Sequence, residues 1–463
     1  MRWKKLKSFC SRLAVLAVLL CAVVPVMAAP KVEHTAKMHW WQKARFGMFI
    51  TWGLYSVPAG YWDGKPVPGF GEWIMNAAHL GRQRYAQMAK QFDPVKFNAT
   101  QWVAIAKAAG MKYIVITAKH HEGFCMFHTK ATRYNIVDAT PWHKDPLALL
   151  AKACRRQGVR FCVYYSIMDW HSRDQAAWHP SAVRPVYNPT HLIAGRAAAY
   201  TGYVERQLRE IIKQYHPGLL WFDGEWIGGW TPARAMQVYH YIRKLDPTVI
   251  INDRLCGGVK WADESIFPKV RQPAGDYITP EQHIPPGGLP GYWETCMTIN
   301  NTWGYKRGDH TYKSVRTLLV NLIHCASGGG NYLLNVGPTG SGTIPKGEVR
   351  RLLAMGRWLK TNGAAIYGTH RSPFGQPLTF GYATRKKNKI YLEVTRWPRH
   401  GTLSVPTAGL SERIIRAYLL VQPKQDLPLR VSGSKVLVHV PNNAPDAIAS
   451  VVVLQAAQGQ GGK

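Results

Sequence analysis

The run Leu219-Leu220-Trp221-Phe222-Asp223-Gly224-Glu225-Trp226 carries an acid, a glycine and a second acid at the end of an apolar stretch. A carboxylate at the C-terminal tip of a buried strand is where parallel-barrel enzymes hold catalytic groups. Rings of Trp and Phe around it suit a sugar, which has apolar faces and a polar rim. A strand-end acid can instead cap the next helix, so the run is weighed with others like it. Thr51-Trp52-Gly53, Gly71-Glu72-Trp73, Lys119-His120-His121-Glu122-Gly123-Phe124 and Tyr164-Tyr165-Ser166 mix polar and aromatic residues in the same way. So do Asp169-Trp170-His171, Asn252-Asp253-Arg254, the segment 275–281, Trp293-Glu294 and Trp303-Gly304-Tyr305. Carboxylates, an Arg, two His and many rings are what an uncharged, polyhydroxylated ring requires: paired hydrogen bonds to hydroxyls and stacking platforms.

Hydrolysis of a glycosidic bond needs two carboxyl groups in different states, one ionised and one kept protonated. Asp223 suits the first role. The residues leave the second open among Glu281, Glu294, Glu225, Glu72 and Asp276. His120-His121-Glu122 also invites a metal reading. Adjacent residues on a strand end are expected to point in opposite directions, however, and no matching His-x-x-x-His or carboxylate set follows. Hydroxyl recognition by one or both His is the expectation, with no metal.

These clusters need elements to position them. Strand-like runs at 46–52, 113–118, 160–166, 219–224, 249–254 and 331–337 alternate with helical patterns at 98–109, 145–158, 199–215, 231–245 and 350–362. Such alternation predicts an α/β fold, a distorted (β/α)8 barrel of the TIM type, whose strand tips converge on one mouth. After about residue 368 short alternating runs separated by Pro, Gly, Asn and Asp predict a C-terminal antiparallel β-sandwich, 368–455, and then a polar tail, 456–463.

The 463 residues suffice for a large barrel and a second module. Arg2, Lys4, Lys5, Lys7 and Arg12, a short apolar core from Leu13 to Val24 and the small residue Ala28 read as a signal peptide over 1–28. The expected location is therefore outside the cytoplasm, periplasmic or secreted. No later run is apolar enough for membrane insertion. Without that leader, 54 basic residues face 26 acidic ones, a net charge of +28. The basic residues are dispersed and form no nucleic-acid motif. They predict a surface adaptation or a weak affinity for anionic surfaces, not nucleic-acid binding. Cys125, Cys154, Cys162, Cys256, Cys296 and Cys325 lack a C-x-x-C pattern, and most read as small core residues.

The motifs Lys119-His120-His121-Glu122-Gly123-Phe124, Trp221-Phe222-Asp223-Gly224-Glu225-Trp226, Asn252-Asp253-Arg254 and Trp293-Glu294 resemble those of the α-L-fucosidases of glycoside hydrolase family 29. Gly329-Gly330-Asn331-Tyr332-Leu333-Leu334-Asn335-Val336-Gly337-Pro338 adds to the match, which spans about residues 40 to 369. The resemblance implies a retaining exo-glycosidase that removes terminal α-L-fucosyl residues from oligosaccharides or glycoconjugates without metal or organic cofactor. It implies Asp223 as nucleophile and Glu281 as acid/base, with Glu294 the competitor. It places sugar contacts at Glu72, Trp73, His120, His121, Tyr164, Trp221, Arg254 and Trp303. One departure stands out: the family usually has His before Trp-Gly in the first strand, and here it is Thr51. Its shorter hydroxyl predicts weaker discrimination at one ring hydroxyl, by about 1–2 kcal/mol at most. The alternatives are a glycosidase for a related sugar such as an α-L-galactoside, or a carbohydrate-binding relative without turnover. The sequence carries no signature of oligomeric state.

Overall fold

The computed structural model describes residues 36–176, 191–256, 275–410 and 412–457; the expected leader lies outside these. Seven strands form one curled, all-parallel sheet: β1 (Phe46–Ile50), β2 (Tyr113–Lys119), β3 (Arg160–Ser166), β4 (Leu219–Asp223), β5 (Ile250–Ile251), β6 (Glu294–Thr298) and β7 (Asn331–Val336). Their order is β5-β4-β3-β2-β1-β7-β6. The gap between β5 and β6 is crossed by the segment 277–281, through the isolated parallel bridges Asn252↔Tyr277, Ile278↔Trp293 and Glu281↔Cys296. The predicted (β/α)8 barrel is therefore present in distorted form. Its eighth stave is held by bridges and not by a full ladder.

The helices start where cap chemistry dictates. Asn98 accepts the Gln101 amide at 3.0 Å to open α1 (Ala99–Ala108), and Asp145 accepts that of Ala148 at 2.9 Å to open α2 (Pro146–Gln157). Pro at the first helical position and a left-handed Gly158 complete α2. Then come α3 (Ala197–Tyr215), α4 (Pro232–Leu245), capped by Thr231, α5 (Val315–Ser327) and α6 (Lys346–Asn362).

Period-two alternation sorts each strand into two faces. Outward residues such as Ile114, Ile116, Val163, Leu220, Phe222 and Leu334 join the large core beneath the helices. Inward residues Phe49, Tyr113, Val115, Cys162, Tyr164, Leu219, Trp221, Cys296 and Leu333 form a separate cluster inside the barrel, joined at its N-terminal end by Met38 and Trp41. Leu219 and Trp221 face inward, so Asp223, next in the alternation, does so at the C-terminal tip. All six cysteines of the described residues are free, and all but Cys256 are buried.

The stretch 249–254, expected as a strand, is strand only at Ile250–Ile251; Asp253–Leu255 is a 3-10 turn, which swings Arg254 over the mouth. β6 and α5 were not among the expected elements. β6 is short and its inward face is polar, Glu294 and Thr298 among it, which hides the apolar signal of a buried strand.

Past the barrel, β8 (Gly381–Lys386), β9 (Lys389–Val394), β10 (Thr402–Pro406), β11 (Ile414–Leu419), β12 (Leu429–Ser432), β13 (Lys435–His439) and β14 (Ser450–Ala456) make two antiparallel sheets, β8-β9-β14-β11 and β10-β13-β12. Leu392, Leu403, Val405, Val438, Val452 and Leu454 fill the space between them. β14 runs through Ala456, a residue expected to begin the tail; its ladder with β9 and β11 carries it that far. Tyr391, Tyr418, Val451 and Val453 face the other way and join the core of the barrel.

Candidate active site

The tips of β2 to β5 and the bridged stave meet around Asp223, which is 8% exposed. Tyr164 Oη donates to Asp223 Oδ2 at 2.8 Å, and the Arg254 guanidinium donates to Oδ1 at 3.0 Å. The same guanidinium donates to Glu281 Oε2 at 2.8 Å, so one cation joins the two carboxylates from different staves. Arg254 is itself fixed by Thr279, through Oγ1 at 3.0 Å and the carbonyl at 3.2 Å, and lies 4.7 Å above the ring of Trp221. Burial works against the charge of Arg254, but Glu281 and Asp223 outweigh it and hold its pKa above the ordinary value.

The Glu281 carboxyl is pushed up to about 7, first by burial and then by the charge of Asp223, with Arg254 partly offsetting both. Neighbouring Glu225 is raised to about 8, by burial and by Asp223. An acid whose proton is favoured by burial thus stands beside Asp223, which accepts from two donors. That is the division of labour glycosidic cleavage requires.

Two bends deliver these groups. Gly224 has φ +75°, and a Cβ there would stand 2.7 Å from Met168 Cβ, so the chain turns tightly off β4 against β3's exit loop. The register between β2 and β3 shifts between Thr117 and Lys119, and β2 ends at Lys119, where a turn begins. Beyond it His120 and His121 do not point apart as expected: their ring centroids lie 4.2 Å apart, and both face the site. Gly123 allows this turn, since a Cβ there would meet Asp169 Oδ1 at 2.1 Å. Below, buried Lys119 pairs with Asp169 at 3.1 Å and anchors the motif.

The hydrogen bonds fix the tautomer of His121. Ser166 spends its proton on the Met168 carbonyl at 2.7 Å, so at 2.7 Å from His121 Nδ1 its oxygen must accept. His121 Nε2 then carries the lone pair, 3.7 Å from Asp223 Oδ2. Burial, then His120, Lys119 and Arg254, pull its pKa well below the ordinary value, so the ring is neutral. Among the described residues no group of His, Cys, Asp and Glu could hold a metal ion.

The walls are aromatic. Tyr164 stacks on His120 at 5.6 Å and on Trp221 at 5.6 Å, and Phe49 packs against Trp221 and Trp303 at 5.2 and 5.8 Å. Trp73 meets His121 edge-on at 5.3 Å. Glu72 Oε2 accepts the Gly304 amide at 2.8 Å, while its buried Oε1 has no hydrogen-bond partner. Thr51 donates its hydroxyl to Asn335 Oδ1 at 2.7 Å, and Asn335 donates to the Trp303 carbonyl at 2.8 Å. Thr51 therefore braces the Trp303 wall.

Two of the acids considered stand elsewhere. Glu294 opens β6, in register with Asn331, at the N-terminal end of the barrel and so opposite the mouth. There Tyr113 Oη donates to it, as does Tyr277 Oη at 3.3 Å, and burial pushes it up to about 7. Asp276 is spent on Lys37 and Arg243, at 2.5 and 2.7 Å. Ser166, Thr279 and Asn335 lie within the motifs the sequence singled out, but none of them was given a role. Ser166 and Asn335 are small polar residues at inward strand positions, a signal that alternation could have revealed.

A family model described as alpha-L-fucosidase matches residues 27–364. The chain belongs to the α-L-fucosidase family. Plasma α-L-fucosidase of Homo sapiens is 32% identical over 425 residues, covering 87% of this chain and 85% of the relative. Isoenzyme 1 of α-L-fucosidase from Paenibacillus thiaminolyticus superposes with TM-score 0.77 at 32% identity, covering 91% of this chain and 99% of that one. A family 29 α-L-fucosidase from Bacteroides thetaiotaomicron, solved as a trapped covalent intermediate with 2-fluoro-fucosyl fluoride, superposes with TM-score 0.81 at 28% identity, covering 92% and 97%. A covalent glycosyl-enzyme is the mark of double displacement, and the chain is a glycoside hydrolase of this retaining class.

Proposed function

We propose that the chain is an exported exo-α-L-fucosidase acting on terminal fucosyl residues of oligosaccharides or glycoconjugates, with Asp223 as nucleophile and Glu281 as acid/base. The observation that carries the assignment is Arg254, whose guanidinium binds both carboxylates. Asp223 attacks the anomeric carbon as the bond to the leaving oxygen breaks, and Glu281 gives that oxygen its proton. Glu281 then takes a proton from water, whose oxygen displaces Asp223 with net retention. The two carboxyl groups must flank the bond at about 5–5.5 Å. Glu281, on another stave, meets this better than Glu225, which leaves the same strand tip as Asp223. His121 Nε2 accepts a sugar hydroxyl, and Glu72 Oε1, His120 and the Trp73, Trp221 and Trp303 rings complete the fucosyl pocket. Export rests on the leader-like residues 1–28.

Hydrolysis of aryl α-L-fucoside and aryl α-L-galactoside by the mature protein, beside Asp223→Ala, tests this reading. The fucoside is expected to be turned over, with a loss of about 10³-fold or more in the variant. A folded wild type inert on both glycosides overturns the assignment. Preference for the galactoside establishes the related-sugar alternative, to which Thr51 points.

A further inference from the structure

Among the described residues the exposed large hydrophobic side chains include two aromatic ones, Phe70 at 42% and Trp226 at 37%. Both lie on loops of the mouth, Phe70 two residues before Glu72 and Trp226 three residues after Asp223. Trp226 meets the His121 ring edge-on at 5.5 Å. His121 Nε2 in turn stands 3.7 Å from Asp223 Oδ2. One imidazole thus separates an indole open to solvent from the proposed nucleophile.

The loop that holds Trp226 is fixed on both sides. Before it, Gly224 is wedged against Met168 and Ser166. After it, Ile227 is buried, the Gly228 carbonyl accepts the Leu192 amide at 2.8 Å, and Trp230 Nε1 donates to the Leu255 carbonyl at 3.0 Å. Ile227 and Trp230 from the same short loop are buried, and Trp226 is not. Three Trp rings pack around His121, those of Trp73, Trp170 and Trp226, and Trp226 is the exposed one. A rigid loop that keeps an indole in water beside a reacting centre has the form of a ligand platform.

The fold also says which part of the substrate would reach it. The inner end of the pocket is closed by Trp221, Phe49 and Tyr164, packed ring on ring. A terminal sugar enters to that depth, and the group it is attached to must extend outward through the mouth. We propose that Trp226 is the platform of a leaving-group subsite, stacking on the apolar face of the sugar ring to which the fucosyl unit is linked. The proposal rests on the fucosidase reading above.

The test compares substrates with and without that ring. α-L-Fucosyl fluoride has a single atom as leaving group. A set of fucosylated trisaccharides that differ in linkage supplies the sugar. Trp226→Ala is expected to lower kcat/KM on the trisaccharide that the wild type cleaves fastest by about tenfold or more, the scale of one lost aromatic contact. Fucosyl fluoride turnover should stay within about twofold, and Trp226→Phe should retain most trisaccharide activity. Equal losses on both substrates, or none on either, overturn the subsite, as does a wild type that hydrolyses the fluoride but no trisaccharide. Failure of the wild type on the fluoride itself refutes the fucosidase reading instead, so the two failures are distinguishable.

Discussion

Arg254 donates to Asp223 and Glu281 alike, while burial outweighs it at Glu281 and raises that carboxyl to about 7. A raised pKa means that the acid is competent below about 7 and loses its proton above it, so kcat/KM should fall on the alkaline side of about pH 7. Glu281→Gln should remove that limb, and should cost far more on a trisaccharide than on a substrate with an activated aryl leaving group. Glu294 is raised to the same value, yet it sits at the far end of the barrel. Glu294→Gln should therefore leave the limb in place, and a pH–rate profile of the two variants separates them. The resemblance ranked Glu281 ahead of Glu294, but the residues alone left both open, since each acid follows an aromatic residue within four positions. Which end of a strand a residue occupies depends on strand limits, and β6 was not legible. Asp223 was legible, since a long apolar run ends beside it. Thr51 was legible as a departure but not in its role, because its partner Asn335 is far away in sequence.

At the scale of elements, the walls depend on hydrogen bonds between loops and strands. β7 holds the Trp303 loop through Asn335, which also takes the Thr51 proton. Asn335→Ala removes both bonds, each worth about 1 kcal/mol net. It should raise KM for an aryl fucoside about tenfold with a smaller change in kcat, and lower the melting temperature by about 2 °C. An unchanged KM would show that the Trp303 wall stands without this brace. Six of the seven barrel strands and most helices could be read from the chain because apolar periodicity and cap residues coincide there, as at Asn98, Asp145 and Thr231. The histidine pair was misread for a definable reason. The strand ends at Lys119, so His120 and His121 lie in the turn closed by the Gly123 amide on the His120 carbonyl, where strand alternation no longer applies.

At the scale of the molecule, Thr35–Lys463 forms one compact unit. Trp358 on α6 donates to the Ala449 carbonyl at 2.8 Å, and Thr384 on β8 to that of Ala365 at 2.7 Å. With Tyr391, Tyr418, Val451 and Val453 in the barrel's own core, a chain ending at residue 367 would expose apolar surface on α5 and α6. That truncation should aggregate or fail to fold, and the intact protein should unfold in one cooperative transition by calorimetry. Two separate transitions would contradict a shared core. The ring itself is uneven in another way. Asp223 ends a strand laddered on both sides, by β3 and β5, whereas Glu281 rides a stave tied by single bridges. Insertions or deletions near Glu281 would disturb few ladder bonds, while the same change at Asp223 would break into the sheet. The proposed proton donor thus stands on the part of the ring most open to alteration, and the proposed nucleophile on the part least open to it.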